Sequence, residues 1–301
     1  LGARSLSDDT LYGLQTLRAK ENFITSYHTT DLSLIYAMVQ VKKAAALSYL
    51  ELHPEESEKW DAILCACDRI LAGDVDDAFC TSALQGGAGT STNMNVNEVI
   101  ANLALTVLGQ APGNYNLIHP LDDVNRGQST NDVYPTALRI AAIQKLRSLS
   151  DACASLQESL QKKELEFDHI KKLGRTELMD AMEVTLGSEF GAFAQGIARD
   201  RWRLYKIEER LRQVNLGGTA VGTGAHADRR RRARPHPGRQ QQHLRAGQRA
   251  VLGALGRGRP AADRVHRRRL AAAARPPDVP PQAVLHRLDG PGARPRGRRP
   301  G

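Results

Sequence analysis

Two long stripes of apolar residues between Ser129 and Val214 constrain the fold more than any other feature of the sequence. The first predicts a helix from Ser129–Thr130 to Phe167 and comprises Ile140, Ile143, Leu146, Leu149, Cys153, Leu156 and Leu160. The second predicts a helix from Thr185 to about Val214. Its apolar residues recur with nearly heptad spacing and comprise Leu186, Phe190, Phe193, Ile197, Leu204, Ile207, Leu211 and Val214. Helices this long cannot bury their stripes within a small domain, so we expect antiparallel helices in a bundle shared between subunits.

The preceding residues predict shorter helices and loops. Residues 1–30 have the pattern of an extended segment followed by a polar loop, and residues 110–124 are a loop marked by Pro112, Gly113 and Pro120. Helices are predicted over three stretches: Asp31 to His53, Pro54 through Leu71, and Asn93 to Leu108. The sequence therefore predicts a mainly α protein, with an N-terminal helical domain over 1–125 and a partial central bundle over 126–224.

Two dense polar segments, Ala88–Asn95 and Gln128–Asp132, stand out in this pattern. Hydroxyl and carboxamide groups at this density are poor core material, because each buried donor or acceptor needs a partner. One interpretation is a pair of helix N-caps, in which Ser129 or Thr130 caps the next helix and Asp132 assists. Capping needs only one or two such residues. The runs therefore favour two loops that converge on a small polyanion, such as a dicarboxylate, near helix N-termini.

Four blocks of the sequence follow one another in a recognisable order: GTSTNMNVNEVIANLAL, HPLDDVNRGQSTNDVYPTA, GRTELMDAMEVTLGSEFGAFA and VNLGGTAVGTG. Together they strongly resemble the aspartase/fumarase superfamily, and the resemblance covers residues 1 to about 224. Within it, YGLQTLRAKENF and QSTND look more like the aspartate ammonia-lyase branch than class II fumarase. The resemblance implies a mostly α-helical homotetramer with a central bundle of long helices. It also implies a small dicarboxylate or amino-acid substrate, and we expect neither a cofactor nor a metal ion.

The implied reaction is the reversible elimination of ammonia from L-aspartate to give fumarate. Removing the proton next to the side-chain carboxylate creates an aci-carboxylate, and the site must supply donors where this charge develops. Carried over from the family motifs, Thr90, Ser129 and Thr130 would hold that carboxylate. Asn131 would contact the amino group, and Thr176 would help to bind the other carboxylate. For each residue the alternative is an ordinary loop or cap side chain.

Glu177 departs from the family pattern, which usually has His or Gln after the threonine that Thr176 matches. A carboxylate at position 177 could pair with the substrate ammonium, or it could mark a different amino-acid substrate. The class II fumarase alternative, with malate and fumarate as substrates, is disfavoured by Glu177 and by QSTND, where fumarases tend to have two serines.

Other polar residues have weaker assignments. His119 matches a second, peripheral anion-binding segment of fumarase-like relatives, although an ordinary surface histidine is the favoured interpretation. Asn95, Asn97 and Glu98 are predicted to support the first loop from behind.

A second departure concerns the catalytic base. In the family the base is a serine on a mobile loop that reads roughly Gly-Ser-Ser-Ile-Met-Pro-Gly-Lys-Val-Asn-Pro, whose lysine and asparagine bind substrate. No such loop occurs in these 301 residues. We therefore expect the 301-residue chain by itself to be inactive, and a catalytically dead family member is the non-enzymatic alternative.

The composition changes abruptly at Ala225. Residues 1–224 contain 22 Lys and Arg and 29 Asp and Glu, whereas residues 225–301 contain 20 arginines, four aspartates and ten of the 14 prolines. The second segment uses only nine residue types, all available from GC-rich codons. We favour a frameshift product that forms no packed domain. In support, residues 266–273 can be back-translated so that the next frame encodes Ile-Ala-Asp-Asp-Leu-Arg-Leu-Leu, close to a family segment. The alternative is a genuine basic arm that binds nucleic acid.

The remaining features indicate location and completeness. The four cysteines lack zinc-ligand spacing and are interpreted as idle thiols in a reducing cytoplasm. No apolar run approaches 18 residues, so we expect no membrane span. The N-terminus has no signal-peptide core and no initiator methionine, which predicts a fragment or a missed start.

Overall fold

The computed structural model describes residues 4–7, 9–24 and 27–225, and within these it is mainly α, as predicted. The described residues form six α-helices and one β-hairpin: α1 Leu14–Asn22, α2 Leu32–Leu52, α3 Ser57–Ala72, α4 Thr90–Val107, α5 Thr130–Glu166, β1 Lys171–Thr176, β2 Met179–Thr185 and α6 Leu186–Leu211. Single turns of other helix types occupy Pro54–Glu56, Asp76–Ala78 and Pro120–Val124. The prediction for residues 225–301 lies, apart from Ala225, outside the described residues.

The hydrophobic core lies between α2, α3, α4 and the first third of α5. Its largest fully buried side chains include Trp60, Tyr49, Ile35, Met38 and Ile100. From α5 the core receives Val133, Ala137, Ile140 and Ala141, so the start of the first long helix packs with the short ones. This packing fixes the position of the N-terminus of α5 relative to α4.

Beyond the core, α5 and α6 form an antiparallel helical hairpin. Arg147 Nη2 donates to Glu208 Oε1 at 2.9 Å, and Arg201 Nη1 donates to Gln157 Oε1 at 2.6 Å. At the closed end a side chain on Gly187 would lie 2.3 Å from the backbone carbonyl oxygen of Glu164, so only glycine permits this approach. Both long helices of the prediction are confirmed.

Part of the predicted apolar stripe on this hairpin is exposed in the single chain, and most of the rest is only half-buried. Few side chains of α5 beyond Ile143 are buried, and α6 buries mainly small residues with Arg201. The exposed set on the two helices includes Leu149, Leu156, Leu165, Phe193, Trp202, Tyr205 and Ile207. An apolar face of this size is typical of a surface that contacts another chain.

The prediction for residues 1–30 is wrong in part, because Leu14–Asn22 is helical. The N-terminal N–H groups of α1 are satisfied by the carboxylate of Glu98 on α4 rather than by a local cap. Glu98 accepts hydrogen bonds from the N–H groups of Gly13, Gln15 and Thr16 at 2.9–3.0 Å, and from the Thr16 hydroxyl at 2.6 Å. Such a cap from more than 80 residues away leaves no local signal in the sequence.

The β-hairpin was not predicted either. Its two-residue loop, Glu177–Leu178, has positive φ at both positions, 53° and 65°. Loops of this type normally carry Asn-Gly or Asp-Gly, so Glu-Leu gives no turn signal. Most residues of the two strands are exposed, and the expected alternation of apolar and polar residues is missing.

Two boundaries also differ. Helix α4 begins at Thr90 rather than at Asn93, because the polar residues of its first turn are bonded to neighbouring loops. The 110–124 loop contains a turn at Pro120–Val124 that His119 caps.

We predict that Glu98→Gln lowers the free energy of unfolding by about 2 kcal/mol or more, since the amide leaves buried N–H groups without an acceptor. Urea denaturation of the 301-residue chain measures this change. Glu51→Gln, at an exposed site in the last turn of α2, is the matched control and should stay within about 0.5 kcal/mol. Equal stabilities of the two variants would contradict the role given to Glu98.

Candidate active site

The N-terminus of α4 begins with a glycine-rich turn. Gly87 and Gly89 both have positive φ, and a side chain on Gly89 would lie 2.2 Å from a ring carbon of Tyr134 on α5. Thr90 is exposed, and its hydroxyl donates to the carbonyl of Gly87 at 2.6 Å. The close approach of Gly89 and Tyr134 holds the first turns of α4 and α5 together.

The N-terminus of α5 is capped by Ser129, as one interpretation of the sequence predicted. Ser129 Oγ accepts from the Asn131 N–H at 3.2 Å, and Asp132 Oδ1 accepts from the Ser129 N–H at 2.9 Å. Thr130 Oγ1 accepts from Asn93 Nδ2 at 3.1 Å. A hydroxyl that accepts one bond still has its own proton to donate. Capping and anion binding are therefore compatible here.

The segment 215–224 packs against the N-terminus of α5. Asp132 Oδ2 accepts from the N–H groups of Gly217 at 3.0 Å and Thr219 at 2.9 Å. Asn131 Nδ2 donates to the carbonyl of Ala220 at 2.9 Å, which leaves its Oδ1 oriented as an acceptor. Three of the four recognised sequence blocks thus meet at one place.

Pro135 explains one further contact of this segment. A proline within a helix has no N–H to donate to the carbonyl four residues earlier, which here belongs to Asn131. Asn215 Nδ2 donates to that carbonyl at 3.0 Å. The proline therefore makes an acceptor available for the 215–224 segment.

Thr176 and Glu177 lie elsewhere in the single chain. Both are exposed in the hairpin that follows the C-terminus of α5, whereas Ser129 lies at its N-terminus. Helix α5 has 37 residues and is therefore roughly 55 Å long at 1.5 Å per residue. One chain brings Thr90, Ser129, Thr130 and Asn131 together but does not bring Thr176 or Glu177 to them.

A buried polar network beneath Thr130 was missed by the sequence reasoning. Lys42 on α2 is 1% exposed, and its Nζ donates to Asn125 Oδ1 at 2.6 Å. Asn125 Oδ1 also receives Asn93 Nδ2 at 3.3 Å, and Asn125 Nδ2 donates to the Gln128 carbonyl at 3.2 Å. A signal was available, because Lys42 follows Ile35 and Met38 at helical spacing on the apolar face of α2.

Burial perturbs both charged groups near this network. Desolvation lowers the pKa of the Lys42 ammonium to about 7, although the charges of Asp132 and Cys67 oppose this shift. Desolvation also raises the pKa of the Asp132 carboxyl, against the N–H groups that it accepts and the charge of Lys42. Burial of charged groups near the N-terminus of α5 is therefore unfavourable and shifts their pKa values, as is common at functional sites.

The residues with weaker assignments have structural contacts. His119 Nδ1 accepts from the N–H groups of Leu121 and Asp122 at 3.1–3.2 Å and so caps a turn. Asn95 Nδ2 donates to the Ala78 carbonyl at 3.0 Å, and Glu98 caps α1. These two side chains of α4 therefore join it to neighbouring segments rather than contacting Thr90.

A surface cleft of about 460 Å³ opens beside Ser91 and is lined in part by Arg4 and Arg18. It contains none of the six residues predicted to bind substrate. Among the described residues, no three His, Cys, Asp or Glu side chains are grouped so as to hold a metal ion. All four cysteines lie in the described part of the chain and are free thiols.

Comparison with known families agrees with this fold and these segments. A family model described as Lyase matches residues 2–236. Aspartate ammonia-lyase from Helicobacter pylori is 45% identical over 237 residues, which cover 76% of this chain and 50% of that protein. The Corynebacterium glutamicum aspartate ammonia-lyase is 47% identical over 231 residues, covering 75% and 44%. The chain therefore belongs to this lyase family, the aspartase/fumarase superfamily, and spans about half the length of the curated relatives it matches.

Solved structures agree with the fold. A fumarate lyase/delta crystallin from Brucella melitensis, bound to cobalt, has a TM-score of 0.76 and 42% identity, covering 83% of this chain and 53% of that one. A class II fumarase from Schistosoma mansoni has a TM-score of 0.72 and 28% identity, with coverages of 83% and 51%. None of the helices in the described part of the chain combines the length and apolar character that a membrane span requires.

We predict that the free energy of unfolding rises between pH 7 and about 8.5 through Lys42. In this range the unfolded chain keeps a lysine proton that the folded chain loses near pH 7, so increasing pH favours the folded state. The window stays below the ordinary pKa of 9.0 of the Cys67 thiol, because burial raises that pKa to about 12 in the folded state and opposes the trend at higher pH.

Urea denaturation at a series of pH values tests this assignment. The rise should be absent in Lys42→Met and present in Lys43→Met, which removes the neighbouring lysine that pairs with Asp68. A rise of the same size in Lys42→Met would show that another group is responsible.

Proposed function

We propose that this chain carries the substrate-binding loops of an aspartase-type ammonia-lyase, an enzyme that reversibly eliminates ammonia from L-aspartate to give fumarate. The observation that carries the proposal is the meeting of two helix N-termini that carry hydroxyl groups, Thr90 on α4 and Ser129–Thr130 on α5. The 45% identity to aspartate ammonia-lyases over three quarters of the chain supports the amine leaving group. A cytoplasmic location fits the free thiols.

The chemistry follows from the polarity of this region. N-terminal helix N–H groups and hydroxyl protons favour negative charge, and the aci-carboxylate carries more of it than the substrate does. Thr90, Ser129 and Thr130 would therefore stabilise the reaction intermediate. Thr90 would do so by turning its hydroxyl proton from its present acceptor, the Gly87 carbonyl, to the substrate carboxylate. Asn131, whose Oδ1 is oriented as an acceptor, suits the substrate amino group.

The second group of site residues would come from another copy of the chain. Thr176 and Glu177 lie beyond the far end of α5, and the helical hairpin exposes a broad apolar face. Antiparallel packing of two such hairpins buries this face and brings the C-terminal end of one α5 beside the N-terminal end of the other. We propose a homotetramer built on such a bundle, with Thr176 and Glu177 completing a neighbour's site.

The runner-up is a class II fumarase, and the similarity to the Schistosoma mansoni fumarase favours it. Hydration of fumarate and deamination of aspartate share the aci-carboxylate, so Thr90, Ser129 and Thr130 do not separate the two reactions. Glu177 does, since a carboxylate suits an ammonium better than a hydroxyl.

We further propose three segments: an N-terminal lyase domain over 1–125, an incomplete helical bundle over 126–224, and a frameshift product over 225–301. On this proposal the chain as it stands has no lyase turnover, because no serine-containing base loop of the family kind occurs in it. The alternative for the last segment is a basic arm for nucleic acid, in a catalytically dead protein. Resequencing the gene across codons 220–301 decides between a frameshift and a genuine arm.

We predict that the 301-residue chain, purified free of host lyase, releases no ammonia from aspartate, because general-base catalysis alone typically contributes about 10²–10⁴-fold. A version with the frame restored after codon 224 should deaminate aspartate faster than it dehydrates malate. In that version Thr90→Ala and Ser129→Ala should each lower kcat/KM by about 2.7–4 kcal/mol, the loss of one oxyanion donor. Coupled assays for ammonia and fumarate provide the measurement.

Each part of this proposal can fail separately. Ordinary turnover by the 301-residue chain would overturn the assignment of the base. Faster malate dehydration by the frame-restored version would favour the fumarase.

We predict that two inactive variants of the frame-restored protein complement each other. In a mixed oligomer of Ser129→Ala and Glu177→Ala, some sites carry both substitutions and others carry neither, so activity should reappear on mixing. Thr90→Ala mixed with Ser129→Ala is the matched control, because both residues lie in the same half-site and no intact site can form. Recovery in the control, or none in the test pair, would contradict a site shared between copies.

A further inference from the structure

Lys42 is a buried charged residue that the proposed reaction does not use. Its ammonium can only donate hydrogen bonds, and it donates to a side-chain oxygen of Asn125 at 2.6 Å. The other end of the Asn125 amide faces the carbonyl of Gln128, which can only accept. Both neighbours therefore require the same orientation of Asn125, with Oδ1 towards Lys42.

The orientation of Asn125 determines that of Asn93. Because Asn125 Oδ1 is an acceptor, the group that Asn93 presents at 3.3 Å must be its NH₂. Asn93 Oδ1 is then left buried with no hydrogen-bond partner among the described residues. An unpaired buried oxygen is unfavourable, so the surroundings of Asn93, rather than its own hydrogen bonding, set this orientation.

The series of hydrogen bonds that begins at Lys42 ends at the Thr130 hydroxyl. Its Oγ1 accepts from the same NH₂ group of Asn93 at 3.1 Å, so the Thr130 proton cannot point towards Asn93. We propose that Lys42, through Asn125 and Asn93, is a positioning residue that fixes the Thr130 hydroxyl as a hydrogen-bond donor to a dicarboxylate. This inference rests on the proposed function, in which Thr130 contacts the substrate carboxylate.

The arrangement explains why a lysine occupies a core position. A neutral side chain that both donates and accepts would allow the side-chain amides of Asn125 and Asn93 to flip, which exchanges their oxygen and NH₂ positions. The Thr130 hydroxyl could then donate its proton to Asn93. Lysine excludes this alternative below its pKa of about 7, because the protonated ammonium has no acceptor. The nearby carboxylate of Asp132 compensates the charge of Lys42.

The first arm of the test measures how strongly the two amides are protected from hydrogen exchange in the whole 301-residue chain, at a pH below 7 where Lys42 is protonated. With ¹⁵N-labelled asparagine, NMR follows hydrogen exchange of the Asn93 and Asn125 side-chain NH₂ groups. Lys42→Met should accelerate exchange at both, and Lys43→Met, its matched control on the same helix, should leave them unchanged. Unchanged exchange at Asn93 in Lys42→Met would overturn the proposal.

The second arm measures binding of succinate, an unreactive dicarboxylate, to the frame-restored protein, which reports whether the Thr130 hydroxyl donates to the ligand. Asn93→Asp replaces the donor to Thr130 by an acceptor, which should capture its proton and weaken succinate binding by roughly tenfold or more, the effect of one hydrogen bond to a charged group. This variant also keeps the proposal testable if Lys42→Met does not fold.

A double-mutant cycle with Thr130→Ala separates this effect from simple charge repulsion. Repulsion by a new carboxylate would weaken binding equally with and without the Thr130 hydroxyl. If Asn93 acts through that hydroxyl, the loss caused by Asn93→Asp should be several-fold smaller in the Thr130→Ala background. Equal losses in both backgrounds would overturn the proposal.

The two arms also distinguish this inference from the proposed function. If the unsubstituted frame-restored protein does not bind succinate while the amide exchange responds to Lys42→Met, the dicarboxylate assignment of the loops fails and the donor role of Thr130 fails with it. If succinate binds and the exchange does not respond, the proposed function stands and only the role of Lys42 is overturned.

Discussion

The carboxylate of Asp132 joins the N-terminus of α5 to the 215–224 segment, and the candidate site depends on this junction. One oxygen accepts the Ser129 N–H and the other accepts the N–H groups of Gly217 and Thr219. Burying a carboxylate is unfavourable unless such donors replace water. The donors come from residues more than 80 positions apart, so Asp132 joins the 215–224 segment to α5 together with the hydrogen bonds of Asn131 and Asn215.

The length of α5 imposes the second constraint. A helix of 37 residues separates Ser129 from the 171–185 hairpin and keeps them apart within one chain. The predicted site residues are therefore divided between the two ends of α5. The proposed antiparallel association would resolve this division, and the same contact would cover the apolar residues that α5 and α6 expose. On that proposal, assembly and completion of the site would have a common physical cause.

The long helices and α2–α4 were predictable because their apolar residues recur with helical spacing, and the Ser129 cap was predictable from local chemistry. Helix α1 was not, since its stabilising acceptor, Glu98, lies far away in sequence. The hairpin was not, since Glu177–Leu178 occupies a turn that normally needs Asn or Gly. Lys42 was missed for a different reason: its place on the apolar face of α2 was visible in the sequence, but its role depends on an acceptor, Asn125, that lies far away in sequence.

Backbone strain is concentrated in the segments that the motifs identified. Among the described residues, the non-glycine positions with positive φ are Ala88, Glu177, Leu178 and Thr219. Ala88 belongs to the first polar segment, Glu177 and Leu178 form the hairpin loop, and Thr219 lies where Asp132 holds the 215–224 segment. For a β-branched residue such as Thr219 this conformation is a genuine outlier, and its buried hydroxyl has no partner among the described residues. Strain of this kind persists only where surrounding contacts over-determine the backbone, and here the hydrogen bond from the Thr219 N–H to Asp132 is such a contact. The same carboxylate that assembles the candidate site therefore also maintains its least favourable backbone conformation.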